Sequence, residues 1–524
     1  MIKKIENFIK SYQTKRHLKR FYDENYSAVP NGKKVLIYAG IGHMYMSYFE
    51  VLIYHLLKKE GCEVDYLVYD EHIPINEVIT KKVLETKDKN DYWKNNVKNS
   101  INLLNTSKVE FEFINTSRKE IENELSDLPK TLESIFSYVK DGINFGEIVK
   151  GTMYRFYKSL TFGNDALEVA QQFLFTTLTN YYEIKERNSN KDYDLILFSH
   201  GIYVTWEPVV EFCKQQKIDF VCYDRAKTKN TINVNFNQVA PDWSFNTAWQ
   251  RYTKKALTIH EKEMVRNYLK ERELQANDVF AYNFSERSEN LTLLKNQLKI
   301  PLDSKVITIF TNLIWDAANV SRDLAFKNAL ECVIETIEFF KNHPKVHVVL
   351  RAHPAEKVLG TKERYGDLVR MHFKDGLPDY VTIIEPEMEV NSFSVIDISD
   401  IGVVNTSTVG LEFALLGKPI LLISDTHYRN KGFTYDVSSK EEYFKELNIL
   451  LKTGELKPNQ ISLSEKYFYM MMFKYQQNIP LEYEKGVFRK YTYKTINSIP
   501  PNHNIYKIVN KMLDNERNDF IYWN

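Results

Sequence analysis

The chain predicts two α/β domains, each a Rossmann-like layer of parallel strands and helices, facing a cleft, with a mainly helical insertion in the first. Three observations carry that expectation. Short apolar runs alternate with helix-length segments at 34–69 and 195–223. Between about 76 and 190 the alternation lapses into long, polar, helix-favouring stretches. It restarts at 305 and holds to 423, and 524 residues with 43% hydrophobic and 14% aromatic content are enough for more than one core.

The elements follow in order. Residues 1–30 are basic: Ile5, Phe8, Ile9 and Tyr12 share one helical face, while Lys10, Lys15, Arg16, Lys19 and Arg20 crowd the rest. Such a helix either lies on the anionic inner face of a membrane or packs on its own domain with a solvated basic side, and the second reading is favoured. The first domain, 31–275, opens as strand, glycine-bearing loop, apolar helix, turn at Gly61 and second strand. Its loop Gly40-Ile41-Gly42-His43 has Tyr45 where a dinucleotide fingerprint needs a third glycine, which disfavours a nicotinamide or flavin cofactor. The helical insertion holds one convincing strand, VEFEFI. Strands at 195–198 and 220–223 then flank a helix.

The second domain, 276–465, runs as strand 306–310, helix 323–341, strand 346–350, strand 381–384, strand 401–404, helix VGLEFALLG and strand 419–423. Phe326, Leu330, Val333, Ile337 and Phe340 form a core stripe on the first of these helices. A helical tail is expected over 466–524.

Charge excludes one large class of partner. Seventy Lys and Arg against 69 Asp and Glu leave +1 overall, so there is no global footprint for nucleic acid. Cys62, Cys213, Cys222 and Cys332 are far apart, without metal-ligand spacing, and read as reduced core thiols of a cytosolic protein. No segment approaches a membrane-spanning length.

In parallel α/β sheets ligands sit beyond the carboxyl ends of the strands, and that rule sorts the motifs. In VVLRAHPAEK, Arg351, His353 and Pro354 follow a strand: a guanidinium forks onto a phosphate, an imidazole N–H adds a donor, and proline fixes the loop. His343-Pro344 precedes the same strand and reads as a helix terminator. In IGVVNTSTVGLEFALLGKP, Thr406, Ser407 and Thr408 present three hydroxyls where a helix starts, Gly410 leaves room for a ligand, and Glu412 lies one turn inside. An N-cap accounts for one hydroxyl only.

These two runs together resemble the nucleotide-binding half of bacterial capsule polysaccharide biosynthesis proteins, glycosyltransferases of GT-B architecture. They are similar also to the HP and Ser/Thr motifs of bacterial sialyltransferases and to CDP-glycerol glycerophosphotransferases. The match covers about 300–440, with TNLIWDAA, which brings in Asn312, and HYRNKGFTYDV. The resemblance implies that His353, Thr406, Ser407 and Thr408 hold donor phosphates and that Glu412 meets a ribose. Two departures count. Sialyltransferases carry two acids before a glycine, where this chain offers Lys140-Asp141-Gly142; UDP-sugar 2-epimerases show paired glycine and paired glutamate, where it has NTSTVGLE.

Such a site calls for no metal or cofactor: leaving-group charge is neutralised by helix termini and by Arg351, His353, Arg429 or Lys431. A DxD lookalike, Asp192-Tyr193-Asp194, precedes its strand on the wrong edge. For the general base the candidates are His43, His200, Asp224, Asp141 and Glu147, with His200 and Asp141 preferred. The expected activity is transfer of a sugar from a CMP-, CDP- or UDP-linked donor to a surface or capsular polysaccharide, lipid-linked in one version. The alternatives are a glycerol- or sugar-phosphate transferase of the same fold and a non-catalytic nucleotide-sugar-binding scaffold of capsule assembly.

Overall fold

A computed structural model describes residues 13–23, 28–40, 44–79, 81, 89–116, 118–128, 130–242, 244–273, 285–316, 322–484 and 487–514. The chain divides into two units. The first comprises Met1–Tyr157, Phe162–Trp243 and Tyr475–Asn524; the second comprises Lys158–Thr161 and Ser244–Lys474.

The first unit is built on strands β1 (Lys34–Gly40), β2 (Glu63–Tyr69), β3 (Glu112–Ile114), β4 (Leu195–Ser199), β5 (Asp219–Arg225) and β6 (Thr231–Phe236). The spatial order is β6-β5-β4-β1-β2-β3, with Gln477–Asn478 added outside β6. Strands β1 to β5 are parallel; β6 runs antiparallel to β5, and the added strand runs antiparallel to β6. Continuous apolar runs such as Val35–Ala39 bury both faces, as parallel strands covered by helices require. VEFEFI contributes β3 to this sheet, while most of the remaining 89–191 segment is helical: Lys89–Thr106, Lys119–Ser126, Leu132–Phe136, Phe145–Tyr157 and Ala166–Lys191. A hairpin, Val139–Lys140 with Ile143–Asn144, interrupts these helices. The DxD lookalike sits at the amino end of β4, where Asp194 accepts the Lys34 N–H at 2.8 Å and Asp65 accepts the Tyr193 hydroxyl at 2.5 Å.

Within the basic N-terminal segment, residues 13–21 are helical, and Ile5, Phe8, Ile9, Lys10 and Tyr12 lie outside the described residues. Leu18, Phe21 and Tyr22 are buried, Phe21 stacking on Tyr491 at 4.0 Å and the Tyr22 hydroxyl donating to that of Tyr491 at 2.6 Å. Lys15, Arg16, Lys19 and Arg20 are exposed. The described apolar face is thus used within its own unit.

The second unit carries β7 (Lys305–Phe310), β8 (Val346–Arg351), β9 (Val381–Ile384), β10 (Ile401–Val404), β11 (Ile420–Leu422) and β12 (Tyr435–Asp436). All six are parallel, in the order β9-β8-β7-β10-β11-β12. The first helix after β7 spans Ala329–Phe339 and not 323–341, because the Asn328 side chain accepts the Glu331 N–H and caps it there. Phe326, Val333, Ile337 and Phe340 are buried, as their spacing predicts. All four cysteines are free and buried.

Two boundaries differ from expectation. The second unit starts at Ser244, not near 276, because the preceding helices pack on helix Gln460–Tyr469: Trp249 against Tyr467, Tyr268 against Phe468, and Lys466 Nζ on the Thr253 carbonyl at 2.8 Å. The expected helical tail returns to the first unit at Tyr475, supplying the added strand, a hairpin Leu481–Glu484 with Val487–Tyr491, and helix Asn504–Leu513. No helix among the described residues is long and apolar enough to cross a membrane.

Candidate functional site

The second sheet reverses its strand order between β7 and β10, and register fixes what lies there. Phe310 pairs with Arg351 on one side and with Val404 on the other. Counting two residues past each brings Asn312, His353 and Thr406 to one carboxyl edge, at the switch point where open α/β sheets bind ligands. Asn312 Nδ2 donates to Thr406 Oγ1 at 3.0 Å, and the Thr311 N–H donates to the Arg351 carbonyl at 3.2 Å. The imidazole of His353 is set by its own loop. Its Nδ1 accepts the Ala355 N–H at 3.1 Å, so in the neutral ring Nε2 carries the proton and is the donor. Ser407 Oγ accepts the Val409 N–H at 3.4 Å, and Thr408 is the N-cap residue without a side-chain capping bond.

Beside Thr406, Asn405 is 8% exposed, and its Oδ1 has no hydrogen-bond partner among the described residues. A buried amide oxygen left this way costs about 1–3 kcal/mol unless a donor reaches it. Its backbone carbonyl accepts the Ser424 hydroxyl at 2.5 Å. Asp323, bridged to Ser424 through the backbone, has its carboxyl pushed up to about 6 by burial, against a hydrogen bond from Asn405. Sequence reading missed Asp323 and the Asn405 amide, because this contact depends on a loop approaching from the far side of β10.

Several expected ligands are committed elsewhere. Arg351 is 1% exposed and donates to the carbonyls of Glu385 and Val390, both at 3.1 Å; burial lowers it to about 10. It ties down the exit of β9 through both Nη atoms, while its buried Nε has no partner among the described residues. Arg429 holds the carbonyls of Leu422, Ser424 and Val437, fastening the end of β11. Lys431 is buried with its ammonium on Asn246 Oδ1. Glu412 is 4% exposed and takes Arg272 Nε at 2.5 Å, so a ribose hydroxyl would have to share that carboxylate. The space beside Gly410 is filled by the Tyr428 hydroxyl, which donates to the Ser407 carbonyl at 2.5 Å; it fits the loop to its own protein, not to a ligand. Pro354 starts the short helix Ala355–Leu359 as its N-cap.

The first sheet has its own reversal, between β1 and β4, and His200 follows β4 directly. Ser199 pairs in register with Tyr223, which sets His200 opposite Asp224. His200 Nε2 lies 3.2 Å from Asp224 Oδ1, its Nδ1 lies 2.5 Å from Ser199 Oγ, and its ring stacks on Trp206. Both nitrogens are therefore engaged, and the edge presents a histidine–carboxylate pair instead of an open imidazole. Asp141 belongs to the other edge. Its carbonyl accepts from Gln215 at the far end of helix Tyr203–Gln216, and hydrogen bonds from Lys185 and Tyr181 hold its carboxyl below the usual range. That is a poor base in the wrong place. Glu147 is an exposed partner of Lys150, and His43 lies outside the described residues.

No family model and no curated protein matches the chain. Among solved structures it is similar to the β-Kdo 2,4 transferase KpsC of Thermosulfurimonas dismutans, at 13% identity over 62% of this chain and 88% of that one, TM-score 0.35. It is similar also to UDP-GlcNAc 2-epimerase from Neisseria meningitidis bound to UDP-GlcNAc, at 12% identity over 84% and 100%, TM-score 0.25. A third is S. aureus MnaA with UDP, at 11% identity over 83% and 92%, TM-score 0.27.

Proposed function

We propose that the chain is a glycosyltransferase of GT-B type that takes a sugar from a nucleotide-activated donor, CMP-, CDP- or UDP-linked, and passes it to a surface or capsular polysaccharide inside the cell. One observation carries the reading: register aligns Asn312, His353 and Thr406 at the switch point of the second sheet, beside a buried amide oxygen that has no donor among the described residues. His353 Nε2–H and the hydroxyls of Thr406, Ser407 and Thr408 bind the donor's phosphates, and a ribose or sugar hydroxyl satisfies Asn405 Oδ1. With Arg351, Arg429 and Lys431 turned to structural work, charge on the departing phosphate is met by fixed neutral donors. In a site from which water is excluded, such donors stabilise developing charge strongly because they need no reorganisation. In the first unit, the carboxylate of Asp224, oriented by His200, accepts the acceptor hydroxyl's proton, and Asp224 replaces Asp141 as the carboxylate of choice.

The test is thermal stability with CMP, CDP, UDP and GDP. One of the four raises the apparent stability, by about 2.7 kcal/mol at a hundred times its Kd. His353→Ala loses that gain while keeping its fold. An His353→Ala protein that shifted and turned over donor like the parent would falsify the assignment. Engagement of both His200 nitrogens favours a second reading, a nucleotide-sugar-binding scaffold; binding without any turnover of a donor in the presence of acceptor identifies it.

A further inference from the structure

A hollow opens on the carboxyl edge of the first sheet, beyond β2 and β3. It holds about 600 Å³, within the roughly 300–1,000 Å³ of small-molecule sites. Tyr69 and Ile114 are paired in register, so the residues after them, His72 with Pro74 and Thr116, form one side. Lys119 and Glu122, from the first turn of helix Lys119–Ser126, form another; Glu168, Gln171, Gln172 and Phe175, from helix Ala166–Lys191, close the third. We propose that this hollow binds part of the acceptor oligosaccharide, an inference that rests on the transferase reading above.

Four features select that ligand class. The location comes first: neighbouring strands lie ~4.8 Å apart, which puts β3 roughly 15 Å from β4 and His200 along one edge, a span suited to an extended chain. Charge comes second. Lys119 and His72 are opposed by Glu122 and Glu168, so a phosphate gains little here and meets two carboxylates on entry. A hydroxyl-rich ligand instead finds both donors and acceptors among the same groups and the amides of Gln171 and Gln172. Third, Phe175 packs against the unit's core with part of its ring exposed, giving an apolar surface for the C–H face of a sugar ring. Fourth, the walls are fixed in advance. Asp70 accepts the Thr116 hydroxyl at 3.0 Å and the His72 N–H at 2.8 Å, and Thr176 ties the Ile75 carbonyl at 2.6 Å.

Saturation-transfer NMR on the full chain without nucleotide tests the inference, using cellotetraose, chitotetraose and a uronic-acid-containing heparosan tetrasaccharide as probes and inorganic phosphate as a competitor. Transfer to the ring protons of at least one saccharide is expected, undisturbed by phosphate. Gln172→Ala and Phe175→Ala each weaken that saccharide about tenfold, the size of one lost contact of ~1.4 kcal/mol. Gln172→Ala, a partly exposed substitution, covers the case in which Phe175→Ala disturbs packing. The inference is overturned by no transfer to any of the probes, by displacement with phosphate, or by unchanged affinity in Gln172→Ala. Nucleotide-induced stabilisation of the same variants is read separately: its absence in the parent sinks the donor site and leaves the saccharide result standing.

Discussion

Both sheets place a histidine just past a strand at the carboxyl edge, yet the two rings are held in different ways. In the second unit His353 is fixed by its own loop, through the Ala355 N–H on Nδ1, which orients an N–H donor at Nε2. In the first unit His200 is held from both sides, by Ser199 and by Asp224 across the neighbouring strand. One ring presents an N–H at Nε2; the other is coupled to a carboxylate. The same residue type after the same element therefore says little by itself, and the partner on the second nitrogen decides its chemistry.

The comparison breaks most visibly at His353. Replacing it with alanine should cut donor turnover by about 10²–10³-fold, the range for losing one preorganised donor, with loss of nucleotide-induced stabilisation; steady-state kinetics and melting curves read both. Asp224→Asn should lower turnover by about 10²-fold while leaving the nucleotide-induced shift intact, which separates proton transfer from donor binding. If Asp224→Asn abolished nucleotide binding, the division of labour between the two edges would be wrong.

Buried ionisable groups sharpen the contrast. Glu50, in the first unit, receives the hydroxyls of Tyr66 and Tyr223 and is pushed by burial up to about 7. Its folded pKa lies above the unfolded value, so its stabilising contribution is complete below about 4.5 and is lost as pH rises through about 7. Glu50→Gln should therefore be the more stable protein at pH 8, by on the order of 3 kcal/mol, with the difference fading at pH 5; urea titrations at the two pH values measure it. Arg351 in the second unit holds two carbonyls instead of titrating near neutrality. Arg351→Met should destabilise by about 2 kcal/mol in denaturant, from the orphaned carbonyls of Glu385 and Val390, with the same nucleotide preference retained. A change of preference would return Arg351 to the phosphate site.

Much of this was legible in the sequence because parallel strands buried on both faces leave continuous apolar runs, and VVLR, IGVV and LILFS are such runs. Knowing the carboxyl edge then suffices to put His353 and Thr406 together and to set aside Asp192-Tyr193-Asp194. The structural bonds of Arg351 could not be read there for a definite reason: the acceptors of its guanidinium lie 34 and 39 residues further on, and nothing local announces them. The position of Asp141 could not be read from sequence, because a turn within a helical segment carries no mark of the sheet edge beneath it. The Asn405–Asp323 contact was invisible for the same cause as Arg351, being made between segments that meet only after folding.

The strand at Gln477–Asn478 pairs with β6, so the chain, having completed the second unit, rejoins the first. On a ribosome the amino-terminal sheet would emerge early and wait, its antiparallel border uncapped, until the chain beyond Tyr475 arrived. Removing the last fifty or so residues would thus not trim an appendage; it would strip Tyr491 from Phe21 and Tyr22 and leave the earlier-made half unfinished.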